Sequence, residues 1–177
     1  MKELVGRAAP VLYLDFDGVL HHENVRWHPR RGAYIDAPRE YRLFQHAELL
    51  EHLLQPYPHI RIVLSTSWVR VYSYSRARQR LPEALRARVV GATFHSEMDL
   101  CLFDAMPRGV QVLRDVQRRE PSSWLALDDD GEGWSPHCLD RLVLTHEELG
   151  ISAADVTAEI RRKLGVLAGP GCRLPPA

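Results

Sequence analysis

Short apolar runs recur along the chain, each closed by turn-forming or strongly polar residues. Val11-Leu12-Tyr13-Leu14, Ile60-Arg61-Ile62-Val63-Leu64, Trp124-Leu125-Ala126-Leu127 and Leu142-Val143-Leu144-Thr145 are almost continuously apolar. That pattern suits strands buried on both faces of a parallel sheet, whereas a strand with one wet face alternates. Strands are expected near 11–15, 60–65, 88–92, 123–128 and 141–145, with helices near 40–55, 76–87, 107–119 and 152–167. The alternation predicts an α/β fold of three layers, with helices over both faces of a mainly parallel five-stranded sheet.

Three runs end in residues that packing does not require. The first leads into Asp15-Phe16-Asp17-Gly18. If the strand continues, Asp15 and Asp17 share one side, clear of Phe16, and Gly18 permits a sharp turn. Two carboxylates this close repel each other, and both ionise most readily with a cation between them. The second run follows a break at Pro56-Tyr57-Pro58 and ends in Ser65-Thr66-Ser67, ahead of Trp68. Hydroxyls and helix-start amides at such a junction can hold a phosphate oxygen. The third ends in Asp128-Asp129-Asp130. Between them, Arg108 opens a helical stretch from about Pro107 to Arg119, placed to neutralise a phosphoryl group or a nucleophilic carboxylate. Ligand chemistry in parallel sheets gathers at the carboxyl ends of strands, where all of these lie.

In this order the clusters resemble the four motifs of the haloacid dehalogenase-like (HAD) superfamily. Asp15-Phe16-Asp17-Gly18 looks like motif I, Ser65 or Thr66 like motif II, Arg108 like motif III and Asp128-Asp129 like motif IV. Leu-Asp-Phe-Asp-Gly-Val-Leu, Leu-Ser-Thr-Ser-Trp and Leu-Ala-Leu-Asp-Asp-Asp together look similar to compact bacterial HAD-domain proteins, some associated with RNA repair systems by gene context. The resemblance spans roughly residues 10 to 150 and implies a Rossmann-like HAD sandwich. It also implies an aspartyl-phosphate mechanism in which Asp15 attacks phosphorus and Asp17 serves as general acid and base. Magnesium would be held by Asp15, the main-chain carbonyl of Asp17, and Asp129 or Asp128, while Ser65 or Thr66 binds the transferring group and Arg108 stabilises its charge. Asp at position 17 favours phosphatase over dehalogenase chemistry, because the dehalogenase branch lacks that acid.

The chain departs from the superfamily in two respects. Motif III often carries Lys, but the only lysines here are Lys2 and Lys163, so Arg108 is a choice among arginines, with Arg114 the next candidate. In the acidic triplet Asp129 is preferred as the direct ligand, Asp128 follows, and Asp130 reads as a turn residue before Gly131. Members acting on small metabolites commonly carry a cap domain that closes over the substrate. The intervals from Asp17 to Ser65 (about 47 residues) and from Thr66 to Arg108 (about 41) are too short for a full one. A minimal, C0-type cap leaves an open site suited to a bulky phosphorylated substrate, such as a nucleic-acid end or a phosphoprotein.

The flap from His21 to Arg31 should overhang the site, and it interleaves Arg26, Arg30 and Arg31 with Trp27, a mixture able to bind phosphates and stack a base. His21 and His22 lie nearest the site as aids to substrate binding. His95, His137 and His146 read as surface or structural, Arg76, Arg78, Arg80, Arg86 and Arg88 as a solvated face, and Trp68 and Trp124 as core.

With 23 basic and 23 acidic residues the net charge is zero, which excludes a generally basic nucleic-acid binder, so any such binding is local. The length allows one domain over 1–177, with a core of about 10–167 and a Pro/Gly-containing tail at 168–177. No apolar stretch is long enough to span a bilayer, and Met1 to Pro10 lacks an apolar signal core, so a cytoplasmic protein without a membrane partner is expected. Cys101, Cys138 and Cys172 form no Cys-x-x-Cys pair and read as reduced bystanders. The leading function is a magnesium-dependent phosphohydrolase acting on a phosphate monoester. A polynucleotide end-processing phosphatase and a non-catalytic binding or regulatory module are the alternatives.

Overall fold

The computed structural model describes residues 6–169; Cys172, nearly all of the expected tail and the first five residues of the N-terminal stretch lie outside them. In chain order the elements are β1 (Pro10–Leu14), β2 (Val25–His28), β3 (Gly32–Ile35), α1 (Ala47–Leu54), β4 (Arg61–Leu64), α2 (Trp68–Tyr72), α3 (Tyr74–Gln79), α4 (Glu83–Arg88), β5 (Val89–Ala92), α5 (Leu100–Asp104), α6 (Arg108–Arg119), β6 (Ser123–Asp128), β7 (Leu142–Leu144) and α7 (Ala154–Ala168). A short 3-10 helix, Pro136–Arg141, leads into β7.

Five strands form one parallel sheet in the order β5-β4-β1-β6-β7, so β1 is central and pairs with both β4 and β6. Side chains alternate across a strand, and both sets on β1 are buried, as its apolar run requires. Leu12 and Leu14 face a cluster with Leu50 and Leu54 of α1 and with Ile160 and Leu164 of α7, whereas Val11 and Tyr13 meet Val112 of α6 and Trp134 on the other face. This is the three-layer α/β fold that the strand pattern and the HAD resemblance imply. None of the helices among the described residues is long and apolar enough to cross a membrane.

Tertiary packing corrects two helix boundaries. The helix expected over 40–55 is only Ala47–Leu54. Ahead of it Phe44 adopts a left-handed φ of 60°, which ends any helix running through it and packs its ring edge-on against Phe16 and Trp68. The helix expected over 76–87 is split into α3 and α4, because Pro82 disfavours helical backbone at the residue before it. The β2–β3 hairpin, α2, α5 and the 3-10 helix had no sequence-based expectation. Nor is the arginine cluster wholly solvated: Arg88 donates to the carbonyls of Tyr57 (2.6 Å) and Leu54 (3.1 Å), tying α4 to the turn after α1.

Two contacts set the position of α6, the helix that begins with Arg108. Beneath the sheet, buried Asp115 accepts from Tyr13 Oη (2.9 Å) and Arg119 Nε (2.8 Å), locking α6 to β1. At its N-terminus, the Gly109 amide donates to Glu132 O (3.0 Å), and a Cβ on Gly109 would lie 2.5 Å from the Gly133 carbonyl carbon. Only glycine permits this approach of helix to acidic loop. Gly109→Ala should therefore lower stability by about 1–3 kcal/mol through overpacking, measured as a shift in urea midpoint. Arg114→Ala on the exposed face of the same helix should change it by less than about 0.5 kcal/mol. Equal midpoints for the two variants would refute the close-approach argument.

Candidate active site

At the carboxyl edge of the sheet the ladder runs one residue past each strand. Asp15 N donates to Leu127 O (3.1 Å), Ser65 N to Leu14 O (2.8 Å) and Thr145 N to Asp128 O (2.9 Å). These bonds fix Asp15, Ser65 and Asp128 side by side at the ends of β1, β4 and β6. Gly18 then turns with φ of 63°, and a Cβ there would sit 2.1 Å from Asp129 Oδ2. The turn after β1 thus passes directly against the second acidic loop.

Asp15, Asp128 and Asp129 each offer a carboxylate oxygen, all within 4.8 Å of one another. Arg108 lies among them, with Nη2 2.9 Å from Asp15 Oδ2 and Nε 3.4 Å from Asp128 Oδ2. Arg108 alone does not balance three acids, and Arg70, a second cation that acts on Asp15, is itself paired with Asp104. Burial pushes the Asp15 carboxyl above its ordinary range, against the pull of Arg108. Burial and then Asp15 push Asp128 well up, and the same two causes bring Asp129 to about 7. Asp128 Oδ2 is buried without a hydrogen bond. A crowded, all-oxygen donor set, with a buried carboxylate oxygen that has an ion pair but no hydrogen bond, fits a hard divalent cation.

That crowding has a thermodynamic sign. A carboxyl whose folded pKa lies above its unfolded 3.8 supports the fold at low pH, and its contribution is lost as pH climbs from about 4 to about 7. A cation bound to the ionised form restores it. Millimolar magnesium should therefore raise the melting temperature more at about pH 8 than at about pH 5.5. In metal-free protein, Asp129→Asn should flatten the fall in melting temperature across that window. A larger magnesium effect at the acid pH would rule out the cluster as a cation site.

Asp17 has a different environment. β1 ends at Leu14, so the pleat does not set where its side chain points, and its carboxylate is not among the three clustered acids. Asp17 Oδ1 accepts from Trp68 Nε1 (2.8 Å) and lies 3.0 Å from His21 Nε2. Phe44 N–H donates to His21 Nδ1 at 3.2 Å, which makes that nitrogen the acceptor and leaves Nε2 to donate to Asp17. Ser67 Oγ is 3.4 Å from Asp17 Oδ2. The Asp17 side chain keeps about a quarter of its surface exposed (27%) while both of its ring partners are buried. It is a carboxylate held from behind and open in front.

These contacts also distinguish the remaining candidates. The Thr66 hydroxyl lies near enough to Asp15 to favour its ionised form, whereas Ser65 Oγ is buried without a hydrogen-bond partner. Arg108 reaches the acids, and Arg114 is exposed along α6. Asp130 is a turn residue whose carboxylate accepts the Glu132 amide at 2.7 Å. His21 is wholly buried and so touches no substrate directly. His22 is occupied by the Asn24 amide and the Tyr41 ring.

Sequence reasoning missed three contributors. Trp68 is core as expected, yet its indole N–H is spent on Asp17. Gln111 Nε2 donates to Phe103 O and Met106 O, bracing the loop that delivers Arg108. Arg70 of α2 is paired with Asp104 and lies close enough to Arg108 for that charge, after burial, to lower its pKa. In place of a cap, the β2–β3 hairpin borders a small cleft lined by Asp17, Val25, Trp27, Trp68, Val71 and Tyr72 among others.

A family model for the HAD domain in Swiss Army Knife RNA repair proteins matches residues 11–156. The chain belongs to that family. No curated protein and no solved structure matches it significantly. The match to this RNA-repair HAD family takes in every strand of the parallel sheet except Pro10, the first residue of β1, together with Asp15, Asp17, Ser65, Thr66, Arg108, Asp128 and Asp129.

Proposed function

We propose that the protein is a magnesium-dependent phosphatase that hydrolyses phosphate monoesters through an aspartyl-phosphate on Asp15. The observation that carries this reading is the convergence on Asp15 of Arg108, Thr66, Asp128 and Asp129 at the carboxyl ends of adjacent strands. Asp15 attacks phosphorus while Arg108 and the Thr66 hydroxyl hold the phosphoryl oxygens and stabilise the charge spread over them. The Asp17 carboxylic acid gives its proton to the departing oxygen, so the P–O bond breaks without forming a free alkoxide. In the second half, Asp17 takes a proton from water, which attacks phosphorus and regenerates the Asp15 carboxylate. Asp15, Asp128, Asp129 and the Asp17 main-chain carbonyl would hold magnesium, which when bound offsets the repulsion between carboxylates and phosphate.

Membership in an RNA-repair HAD family supports a phosphorylated nucleic-acid end as the substrate, as does a four-residue-per-strand hairpin where a cap would stand. The test is phosphate release from small phosphoesters and from 3′- and 5′-phosphorylated oligonucleotides, with and without magnesium. Release that needs magnesium and favours the oligonucleotides is expected. Faster turnover of a small metabolite than of any oligonucleotide would defeat the substrate assignment. A folded, magnesium-binding protein that releases no phosphate would point to a binding module.

A further inference from the structure

Two large apolar side chains, Trp27 and Val71, are 56% and 62% exposed and line the same cleft. Trp27 is carried by β2, opposite Ala33 of β3. Residues two apart on a strand share a face, so Trp27 lies on the face of Val25 and Ala33, both of which pack against the core. Its indole is thus turned inward, yet no described residue covers it fully. Tyr72 and Trp68 of the helix side line it as well, and so does Asp17. The volume is about 110 Å3, a slot for one flat ring and not for a folded partner. Arg80 does not line the cleft but brings a positive charge to two rings that do, its guanidinium 5.8 Å from the Trp68 ring and 5.9 Å from that of Tyr72.

We propose that this cleft is a base-binding subsite, in which the nucleobase of the terminal, phosphate-bearing nucleotide stacks on Trp27 against Val71 and Tyr72. The inference rests on the phosphatase reading, because Asp17 then faces the leaving oxygen and the leaving nucleoside extends from it into the cleft. Every base offers a flat π-face, so such a subsite demands a base without choosing among them, and Arg80 stands ready for a neighbouring phosphate. A ring-free phosphoester would leave Trp27 and Val71 exposed to water.

The test compares two phosphorylated RNA oligonucleotides that differ only in whether the nucleotide carrying the phosphate has a base or is abasic. Wild type should favour the base-bearing end by about 5- to 150-fold in kcat/KM, the range expected for one aromatic stack. Trp27→Leu, which keeps the hairpin apolar, should erase most of that preference, and Trp27→Phe should restore it. The same comparison is made by fluorescence anisotropy, with labelled oligonucleotides bound to Asp15→Asn, where no turnover is needed. Equal binding of the two ends, or a preference that survives Trp27→Leu, overturns the subsite. Absent turnover with a preserved Trp27-dependent binding preference would instead overturn the phosphatase reading and leave the subsite standing.

Discussion

Asp15→Asn should abolish phosphate release, a loss on the order of 10⁴-fold or more, as expected when a covalent nucleophile is removed from machinery that acts as a unit. The variant is nearly isosteric, and its amide can still meet the Phe16 N–H that Asp15 Oδ1 accepts at 2.6 Å. Global collapse is not expected either. Asp15 is one of three acids crowded round Arg108, and burial already works against its charge. Removing that charge relieves Asp128 and Asp129 and leaves Arg108 with Asp128. The metal-free variant should therefore melt at or above the wild-type temperature while binding magnesium more weakly. In wild type, quenching during turnover should trap acid-stable phosphate on a peptide containing Asp15; in Asp15→Asn it should not. Residual activity within about tenfold of wild type would exclude the aspartyl-phosphate route.

The sequence disclosed this site to the extent that backbone rules determine it. Runs such as Val11–Leu14 and Leu125–Leu127 are apolar at every position because the sheet is covered on both faces, and that burial is recorded in the residues themselves. Their acidic ends mark the carboxyl edge of the sheet. Arg108 over Arg114 was also legible in principle, because Arg108, Gln111, Val112, Asp115 and Arg119 share one helical stripe and Arg114 lies outside it. Ser65 against Thr66 was not. The strand ends at Leu64, so no pleat dictates which hydroxyl turns toward Asp15.

The partners of Asp17 were illegible for another reason. Trp68, which the sequence reports as core, and His21, which it reports as an aid to substrate binding, both bury their rings, and each then uses one polar atom on the carboxylate. Trp68 stands 51 positions away from Asp17 in the chain. Nothing local marks that meeting. The hairpin was hidden because its strands have four residues each, too few for the alternation of Val25, Arg26, Trp27 and His28 to stand apart from a loop.

Asp17→Asn should lower turnover by about 10²–10⁴-fold, the range for general acid–base catalysis, and the loss should depend on the leaving group. An alkoxide leaving from a nucleotide or sugar needs the Asp17 proton, whereas 4-nitrophenolate leaves without one. The first half-reaction with 4-nitrophenyl phosphate should therefore survive in Asp17→Asn as a burst of about one nitrophenol per site. The second half still requires a base to activate water, so phospho-enzyme should accumulate after the burst. A variant of the supporting shell separates holding from chemistry. Trp68→Phe keeps a ring against Phe16, Phe44 and Tyr72 but removes the N–H that Asp17 Oδ1 accepts. With His21 still holding the carboxylate, the loss should be about tenfold or less, below the cost of a sole hydrogen bond to a charged group. It should fall on kcat, with KM little changed, because Trp68 orients the acid and does not grip the phosphate. Equal loss for nitrophenyl and alkyl phosphates in Asp17→Asn, without a burst, would remove Asp17 from proton transfer and make it a structural carboxylate.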